Sequence, residues 1–474
     1  MFTDDLGWPW LLIPLAYGLA LISCVDCLRN LRTAQGGTAW IIALLSFPLV
    51  AVPLYWVFGH TRFTGYMQAR RAGDRQADPH IDKLKARFPV NGQTLEDYQE
   101  RFRVLEALAD LPFSQGNRTQ LLIDGEATFK AMFAAMEEAE DYILVQFFIF
   151  EDDRIGRALR DRLVVKARAG VRVYLLYDAI GCISIPERYF QPIRDAGGEV
   201  YGFKTRRGPP LRFQINFRNH RKLLIVDGRV GFTGGLNVGD EYLGRDPSMT
   251  PWRDTHLQLE GPAVPCLQVS FIQDWYWAAH SIPDLNWQPE ACDGRTVLVL
   301  PTGPADYLES CTLMFVHAIH AARHRLWIAT PYLIPDREII TALQLAALRG
   351  VDVRLLVTGT PDSWVVHLVS YAFDDQLLPV GIRLFRYRGF LHEKAMVVDD
   401  DLGMVGSANL DNRSFRLNFE LNVLVADAGF AAEVAGMLET DLANADEVTE
   451  ETAANRSAVF KLATQGARLL APLL

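Results

Sequence analysis

Two long apolar runs stand at the start of the chain. Leu6 to Val25 holds 20 consecutive uncharged residues, and Gly36 to Gly59 holds 24. Since about 20 apolar residues cross a hydrocarbon core as a helix, we predict transmembrane helices at about 6–28 and 38–58. Together they form a membrane anchor over residues 1–59. Prolines in both runs favour kinks, so a shallow hairpin that does not fully span the bilayer is the alternative.

The charges beside these runs predict an orientation. Arg29 and Arg32 lie between the two runs, whereas four arginines follow the second run before position 76. The side richer in positive charge faces the cytoplasm. We therefore expect both termini and the large remaining part of the chain on the cytoplasmic side of the membrane.

The pattern of apolar and polar positions then occurs twice, beyond a polar stretch at 60–112 that we interpret as a linker with one helix. In the first copy, helical periodicity in "EATFKAMFAAMEEAEDY" precedes a buried strand, "ILVQFFIF", a helix, "IGRALRDRLVVKARAG", and a strand, "VRVYLLYD". The second copy has the same order in "YLESCTLMFVHAIHAARHR", "LWIATPYLI", "EIITALQLAALRG" and "VDVRLLVTG". The repeat predicts two duplicated α/β domains, at 113–285 and 286–474, each with a sheet flanked by helices.

Each copy also carries the same polar motif. "NHRKLLIVDG" and "LHEKAMVVDD" have His, Lys and Asp at identical spacing, and after six more residues both continue with Gly, Gly or Ser, any residue, and Asn. The motif residues are His220, Lys222, Asp227 and Asn237 in the first copy, and His392, Lys394, Asp399 and Asn409 in the second. Two chance matches to the His-Lys-Asp spacing have a likelihood of roughly one in ten thousand. We take the His, Lys and Asp residues as the candidate catalytic set.

The motif suits chemistry on a phosphodiester. Each His and Lys are two residues apart on a predicted strand and share a face, so two His-Lys pairs converge if the halves pack about a pseudo-twofold axis. Two ammonium groups neutralise a phosphodiester anion, and Asn237 and Asn409 can donate hydrogen bonds to its oxygens. One neutral imidazole can attack phosphorus while the other protonates the leaving alkoxide from the opposite side. Each copy alone is then half a site.

Each imidazole also needs a carboxylate that orients it. Asp254 in "WRDTH" follows His220 by 34 residues, and Glu420 in "NFELN" follows His392 by 28. These are the candidates, with a surface acid as the alternative for each. We expect the two motif aspartates to hold the turn after the strand rather than contact substrate, because Asp-Gly is a common hairpin signal.

The overall charge bears on the partner. The net charge is −10 at pH 7, whereas a protein that binds duplex nucleic acid usually has the opposite balance. Arginine and aromatic residues alternate at 203–222 and 382–394, just before and into each motif. Such mixtures bind anionic lipid headgroups or single-stranded nucleic acid, or are ordinary solvated loops. The acidic chain and the membrane anchor favour lipid, so we expect no nucleic-acid partner.

These residues resemble the phospholipase D superfamily, whose signature is the duplicated motif. The fuller resemblance is to bacterial cardiolipin synthases of the two-transmembrane type. It covers nearly the whole chain, including "FTGGLNVGDEYLG", "PWRDTH", "TPYLIPD" and "VGSANLDNRSFRLNFE". It implies a phosphatidyltransferase of the bacterial inner membrane whose chemistry needs no metal and no cofactor, with anionic phosphatidylglycerol as substrate.

The resemblance also implies a reaction sequence. His220 would be phosphatidylated by one phosphatidylglycerol with release of glycerol. A second phosphatidylglycerol would then attack, with His392 as acid and later as base, to give cardiolipin. The alternatives are a phospholipase D that transfers the group to water or another alcohol, and a phosphodiesterase or nuclease. The sequence indicates no oligomeric state.

Overall fold

The computed structural model describes residues 7–30, 33–59, 66, 93–204, 216–288, 290–292 and 294–473. Most of the predicted linker, at 60–65 and 67–92, and part of the basic-aromatic stretch, at 205–215, lie outside the described residues. The helices are α1 (Gly7–Arg29), α2 (Ala34–Ser46), α3 (Pro48–Phe58), α4 (Gln93–Ala109), α5 (Asp124–Glu137), α6 (Arg154–Arg168), α7 (Gln191–Asp195), α8 (Ala263–Ala279), α9 (Ser310–Ala321), α10 (Arg337–Leu348), α11 (Trp364–Tyr371), α12 (Asp374–Leu377), α13 (Asn412–Arg416), α14 (Ala428–Ala443), α15 (Glu450–Ala454) and α16 (Ala458–Arg468). The strands are β1 (Ser114–Ile123), β2 (Tyr142–Phe147), β3 (Arg172–Asp178), β4 (Glu199–Phe203), β5 (Arg218–Asn219), β6 (Leu223–Val226), β7 (Val230–Gly234), β8 (Trp252–Arg253), β9 (Thr255–Glu260), β10 (Arg295–Thr302), β11 (Arg325–Ala329), β12 (Leu333–Ile334), β13 (Asp352–Thr358), β14 (Arg383–Tyr387), β15 (Phe390–Leu391), β16 (Ala395–Val398), β17 (Leu402–Gly406), β18 (Leu410–Asp411), β19 (Asn418–Ala426) and β20 (Ala445–Val448).

The first apolar run forms the single helix that its length predicts. Helix α1 has 23 residues, a length of about 34 Å at 1.5 Å per residue. Within the described part of the chain, one helix is both long and apolar enough to cross a membrane, over Leu12–Arg29. Many of its large side chains, such as Leu15 and Leu21, are exposed in the isolated chain.

The second apolar run is not one helix, and the prediction of a continuous span at 38–58 is wrong. It breaks at Phe47, and Pro48 begins a new helix, because proline has no N–H to continue the first. Helices α2 and α3 have 13 and 11 residues, about 20 Å and 16 Å. Both are shorter than a hydrocarbon core of about 30 Å.

Helices α2 and α3 fold back on each other as a hairpin with Phe47 at its tip. The rings of Trp40 in α2 and Tyr55 in α3 meet edge to face at 5.4 Å. The open end of the hairpin lies against the last turns of α1, where Tyr55 donates to Asp26 at 2.8 Å and Trp56 donates to Ser23 at 3.0 Å. The second apolar run is therefore a helical hairpin in this structure.

The remaining chain confirms the two duplicated α/β domains. Within the described residues their strands form one sheet of sixteen strands, in which β5 pairs with β19 beside the main path. The first half has the order β4-β3-β2-β6-β7-β9-β1, and the second has β14-β13-β11-β16-β17-β19-β10 with β20 at its outer edge. The two orders match strand for strand and meet where β1 pairs antiparallel with β10. This is the pseudo-twofold arrangement that the repeat predicts.

Local sequence explains the repeated elements. Strands β2 and β3 are parallel, and so are β11 and β13. Such strands have both faces covered and are apolar throughout, as "ILVQFFIF" indicates. The helices before the second strand of each pair end at Gly170 and Gly350, with φ of 96° and 88°, a left-handed conformation that glycine adopts without strain. The predicted order of helix, strand, helix and strand is therefore present in both halves.

Two further helices hold the halves together. Helix α8 is almost entirely buried and packs against β4 and β6 of the first half and β10 of the second. Helix α4 packs against α9 and β10, where Arg101 binds the side chains of Asp399 and Asp401 and the carbonyl oxygen of Ala321. The catalytic part of the chain is thus one packed unit.

Candidate active site

Two short parallel bridges join the halves beside the motif histidines. Strand β5 pairs with the start of β19, and β15 pairs with β8. The backbone N–H of His220 donates to the carbonyl oxygen of Phe419 at 2.9 Å, and that of His392 donates to Arg253 at 2.8 Å. Each histidine is therefore held in register against the half of the chain to which it does not belong.

This register pairs each imidazole with a carboxylate of the other half. Nδ1 of His220 lies 2.9 Å from Oε2 of Glu420, and Nδ1 of His392 lies 2.7 Å from Oδ2 of Asp254. The sequence analysis pairs each carboxylate with the histidine that precedes it in the chain. This pairing is wrong. The alternative of a surface acid is also wrong, because both carboxylates are fully buried. With Nδ1 engaged, Nε2 of each ring is the nitrogen left to react.

The two histidines line one cavity of about 510 Å³. The motif asparagines, Asn237 and Asn409, line it too. Asn237 is fixed by accepting from the N–H of Ile149 at 3.3 Å and donating to the hydroxyl of Tyr242 at 2.7 Å. The structure thus brings four motif side chains from both halves to a single space.

The side-chain amide of Asn409 has one free acceptor. Its Nδ2 donates to Asp411 at 3.1 Å, and within the described residues its buried Oδ1 has no hydrogen-bond partner. A buried polar atom without a partner is costly unless a ligand or water engages it. A hydroxyl group of a bound headgroup is a suitable donor.

The motif lysines lie beside the histidines and out of contact with solvent. Nζ of Lys222 donates to the carbonyl oxygen of His220 at 2.6 Å, and Nζ of Lys394 binds the carbonyl oxygen of His392. Burial lowers the pKa of Lys222 well below its usual value and lowers the pKa of Lys394 to about 8. An anion in the cavity favours the charged ammonium form of both.

The motif aspartates are not at the cavity. Each lies at the far end of a strand from its histidine and accepts hydrogen bonds from consecutive backbone N–H groups. The carboxylate of Asp227 accepts from residues 140, 141 and 142 at 2.8–2.9 Å, and that of Asp399 accepts from residues 323, 324 and 325 at 2.7–3.1 Å. Both thus fasten the start of the neighbouring strand, β2 or β11, to the turn after their own strand. Neither lines the cavity that holds the histidines, so the structure places them apart from the rest of the candidate catalytic set.

Side chains that the sequence did not single out hold the orienting carboxylates. Ser407 and Ser414 donate to Glu420 at 2.6 and 2.8 Å. Gly235 is the counterpart of Ser407 in the first half, and a Cβ atom there would overlap Oδ1 of Asp254. The Gly-or-Ser position of the motif is the signal that could have revealed this role.

Burial determines the protonation state of the two motif histidines. It lowers the pKa of His220 to about 4, with a further lowering by Lys222 against the opposing effect of Glu420. It also lowers the pKa of His392 well below the usual value, helped by both lysines. Both imidazoles are therefore neutral at pH 7 before substrate binds. Asp254 is also affected, because burial raises its pKa to about 6.

The two walls of the cavity differ in charge although the halves are related by pseudo-twofold symmetry. Arg218 and Arg413 form what we call the basic wall. By position in the motif their counterparts are Phe390, two residues before His392, and Glu241, four residues after Asn237. Burial raises the pKa of Glu241 to about 7. The sequence reading missed this difference, because it treated the two copies as equivalent.

Comparison with known proteins supplies a family. A family model described as "Cardiolipin synthase, PLD-like domain" matches residues 132–249 and again 315–442, and one described as "Phospholipase_D-nuclease N-terminal" matches 18–60. A protein of Pseudomonas putida named cardiolipin synthase A is 45% identical over 469 residues, which is 98% of this chain and 97% of that protein. One of Pseudomonas aeruginosa with the same name is 46% identical over 461 residues, which is 96% and 94% of the two chains.

The fold also has a solved counterpart. The crystal structure of a phosphatidylserine synthase from Haemophilus influenzae Rd KW20 aligns with a TM-score of 0.60 and 16% identity, over 79% of this chain and 100% of that chain. At this identity the likeness shows the shared fold of the duplicated domains.

Proposed function

This chain belongs to the cardiolipin synthase family of proteins with phospholipase D-like domains, and we propose that it transfers a phosphatidyl group from one phosphatidylglycerol molecule to another. The products are cardiolipin and glycerol. The observation that carries the proposal is the placement of His220 and His392 in one cavity, each oriented by a buried carboxylate. Transfer at phosphorus through a covalent intermediate needs two such groups, one on each side.

In the first half-reaction, Nε2 of His220 attacks the phosphorus of the donor lipid. The P–O bond to the headgroup glycerol breaks, and His392, which must carry a proton in the bound complex, gives that proton to the leaving oxygen. The negative charge of Glu420 stabilises the cationic phosphohistidine ring, as the aspartate does in serine hydrolase triads. The assignment of His220 as nucleophile follows the resemblance to the superfamily.

In the second half-reaction, a hydroxyl of the acceptor lipid attacks the phosphohistidine. His392, now neutral, takes the hydroxyl proton, and the electron pair of the broken P–N bond returns to His220. Lys222 and Lys394 balance the charge of the phosphoryl oxygens, while Asn237 and Asn409, which line the cavity, bind the phosphate and the headgroup of the substrate. The residues end in their starting states, so the reaction is reversible.

The protein is associated with the membrane, as its family and its exposed apolar helix indicate, and we propose an arrangement with one crossing in the bacterial inner membrane. In it α1 spans the bilayer, the hairpin α2–α3 enters one leaflet and returns, and the catalytic unit faces the cytoplasm. Asn30 after α1, Thr33 before α2 and Gly59 after α3 all line one cavity with Asn412 of the catalytic unit, which supports a common side for these three ends.

Flanking charge supports the same arrangement. With a single crossing, Arg29 and Arg32 lie on the same side as the arginines that follow the hairpin, and the acidic start "MFTDD" lies on the other. This satisfies the positive-inside rule better than two full crossings, which would put Arg29 and Arg32 outside.

The proposed function is tested with the purified full-length protein in detergent and phosphatidylglycerol as the sole lipid. Cardiolipin and glycerol in equal amounts are expected. Phosphatidic acid without cardiolipin would instead establish a hydrolase. Cleavage of oligonucleotides at physiological salt, with no reaction of the lipid, would establish a nuclease. This salt concentration is chosen because it weakens non-specific electrostatic binding of nucleic acid.

A further inference from the structure

The basic wall has no counterpart across the pseudo-twofold axis, so the shared histidine chemistry does not require it. Arg218 and Arg413 line the active-site cavity, and both are only partly exposed. The repeated histidines and lysines act on the one phosphorus that lies between the two halves. The basic wall lies on one side of the pseudo-twofold axis. It is therefore suited to a group of the substrate that also lies on that side.

The two guanidinium groups are close enough to repel each other. Burial lowers the pKa of Arg218 to about 10, and the charge of Arg413 contributes to that lowering. Arg413 is nevertheless fixed in place, with Nη1 donating to Oδ1 of Asn216 at 3.1 Å and Nη2 donating to its carbonyl oxygen at 2.7 Å. Two partly buried cations held side by side are stabilised by an anion that bridges them, and arginine matches phosphate geometry.

The basic wall is linked through Asn216 to the part of the catalytic unit that faces the membrane anchor. Asn216, which holds Arg413, lines a second cavity of about 300 Å³ between the anchor and the catalytic unit. Trp40 and Tyr55 of the hairpin and Arg416 of the catalytic unit line the same cavity.

We propose that Arg218 and Arg413 bind the phosphate of the second, acceptor phosphatidylglycerol, an inference that rests on the proposed function. When the acceptor hydroxyl forms its new P–O bond and the P–N bond to the imidazole breaks, the acceptor's own phosphodiester is a spectator that carries one negative charge into the cavity. Glycerol and water carry no such charge. The basic wall therefore selects a lipid acceptor over its small neutral competitors.

The test compares two reactions of one protein in mixed micelles of phosphatidylglycerol. One is the formation of cardiolipin, and the other is the incorporation of labelled glycerol into phosphatidylglycerol. They share the first half-reaction and the reacting phosphorus, and they differ in the charge of the acceptor. Their ratio therefore isolates recognition of the acceptor phosphate.

We expect Arg413→Gln to lower the ratio of cardiolipin formation to glycerol exchange at least tenfold, which corresponds to about 1.4 kcal/mol. Arg218→Gln should lower the same ratio, and Arg413→Lys should restore part of it. Arg388→Gln is the matched control, because it removes one exposed arginine that pairs with Asp446, and its ratio should equal that of the wild type. Thermal unfolding of each variant checks the fold.

An equal fall of both reactions in Arg413→Gln and Arg218→Gln would overturn the inference, since the wall would then serve the reacting phosphate or the fold. An unchanged ratio in both variants would overturn it as well. A wild-type protein that forms neither cardiolipin nor labelled phosphatidylglycerol would instead overturn the proposed function itself, and the inference with it.

Discussion

Glu420 binds the imidazole of His220 across 200 positions of sequence and across the boundary between the two halves. Asp254 binds His392 in the reciprocal way, across 138 positions. Because each histidine depends on a carboxylate of the other half, neither half contains a complete general base or nucleophile. The two duplicated halves therefore do not form two independent sites. Each half depends on the other for the carboxylate that orients its histidine.

Substitution at Glu420 should disable the histidine of the first half. We expect Glu420→Gln to lower kcat by a factor of about 10² to 10⁴, the range typical of lost orientation and charge in a catalytic pair. Because the carboxylate raises the pKa of His220, that pKa should fall in Glu420→Gln and stay unchanged in Asp254→Asn. Nuclear magnetic resonance of ¹⁵N-labelled histidines measures both. Glu439→Gln, at an exposed position, is the control.

The titration midpoint of His220 should lie well below pH 6.5, the usual pKa of a histidine side chain. His220 must be neutral to attack, and its pKa in the free protein is lowered to about 4, so the reactive form persists as the pH falls through 6.5. Asp254, whose pKa is raised to about 6, titrates in the same range, so the ring of His220 is followed directly by nuclear magnetic resonance of ¹⁵N-labelled histidine. We expect this ring to be neutral at pH 5.5, and a titration midpoint near pH 6.5 would show that burial does not hold it neutral.

Gly235 should be indispensable because it lies directly against the carboxylate of Asp254. A methyl group at position 235 overlaps the carboxylate, so Gly235→Ala should displace Asp254 from His392 and lower kcat at least 100-fold, an effect of about 2.7 kcal/mol. Gly436→Ala is the matched control, because nothing lies within 4 Å of its new Cβ atom in α14. Wild-type activity in Gly235→Ala would mean that Asp254 does not orient His392.

The motif aspartates should matter for stability. Asp227→Asn weakens hydrogen bonds to three backbone N–H groups, so the free energy of unfolding should fall by about 1–3 kcal/mol. The kcat of the folded fraction should stay within about threefold of the wild type, since the residue is remote from the cavity. Denaturant titration and active-site titration measure the two quantities, with exposed Asp161→Asn as control. A stable but inactive variant would contradict this assignment.

The anchor should place the two termini on opposite sides of the membrane. An epitope at the N-terminus should be cleaved by protease added to intact spheroplasts, whereas one at the C-terminus should be protected until the membrane is broken. Protection of both epitopes would instead support two full crossings, the arrangement that hydropathy alone predicts. The C-terminal epitope also serves as the internal control for spheroplast integrity.

The repeat made much of this molecule predictable. Paired periodicities predict two α/β domains, and the identical spacing around His220 and His392 selects the candidate reacting side chains that the structure brings into one cavity. The crosswise pairing could not be predicted, because strands β5, β8 and β15 are only two residues long and leave no periodic signal.

Two other features were beyond the reach of the sequence pattern. Hydropathy treats residues 36–59 as one run, although Pro48 indicates a break in the helix. The sequence pattern does not show that α2 and α3 then fold back on each other and pack against α1. The basic wall was hidden because the motif positions of Arg413 and its counterpart Glu241 carry opposite kinds of side chain, one basic and one acidic. Only the fold shows that both positions face the same cavity.

The most direct measurement of the central claim is a burst experiment with a p-nitrophenyl phosphatidyl ester, whose leaving group departs without a proton. This substrate needs the nucleophile and its orienting carboxylate but not the general acid. With His220 as nucleophile, one equivalent of p-nitrophenol should be released rapidly by the wild type and by His392→Ala and Asp254→Asn. The burst should be absent in His220→Ala and at least 100-fold slower in Glu420→Gln. A burst that Asp254→Asn abolishes and Glu420→Gln leaves intact would contradict the account.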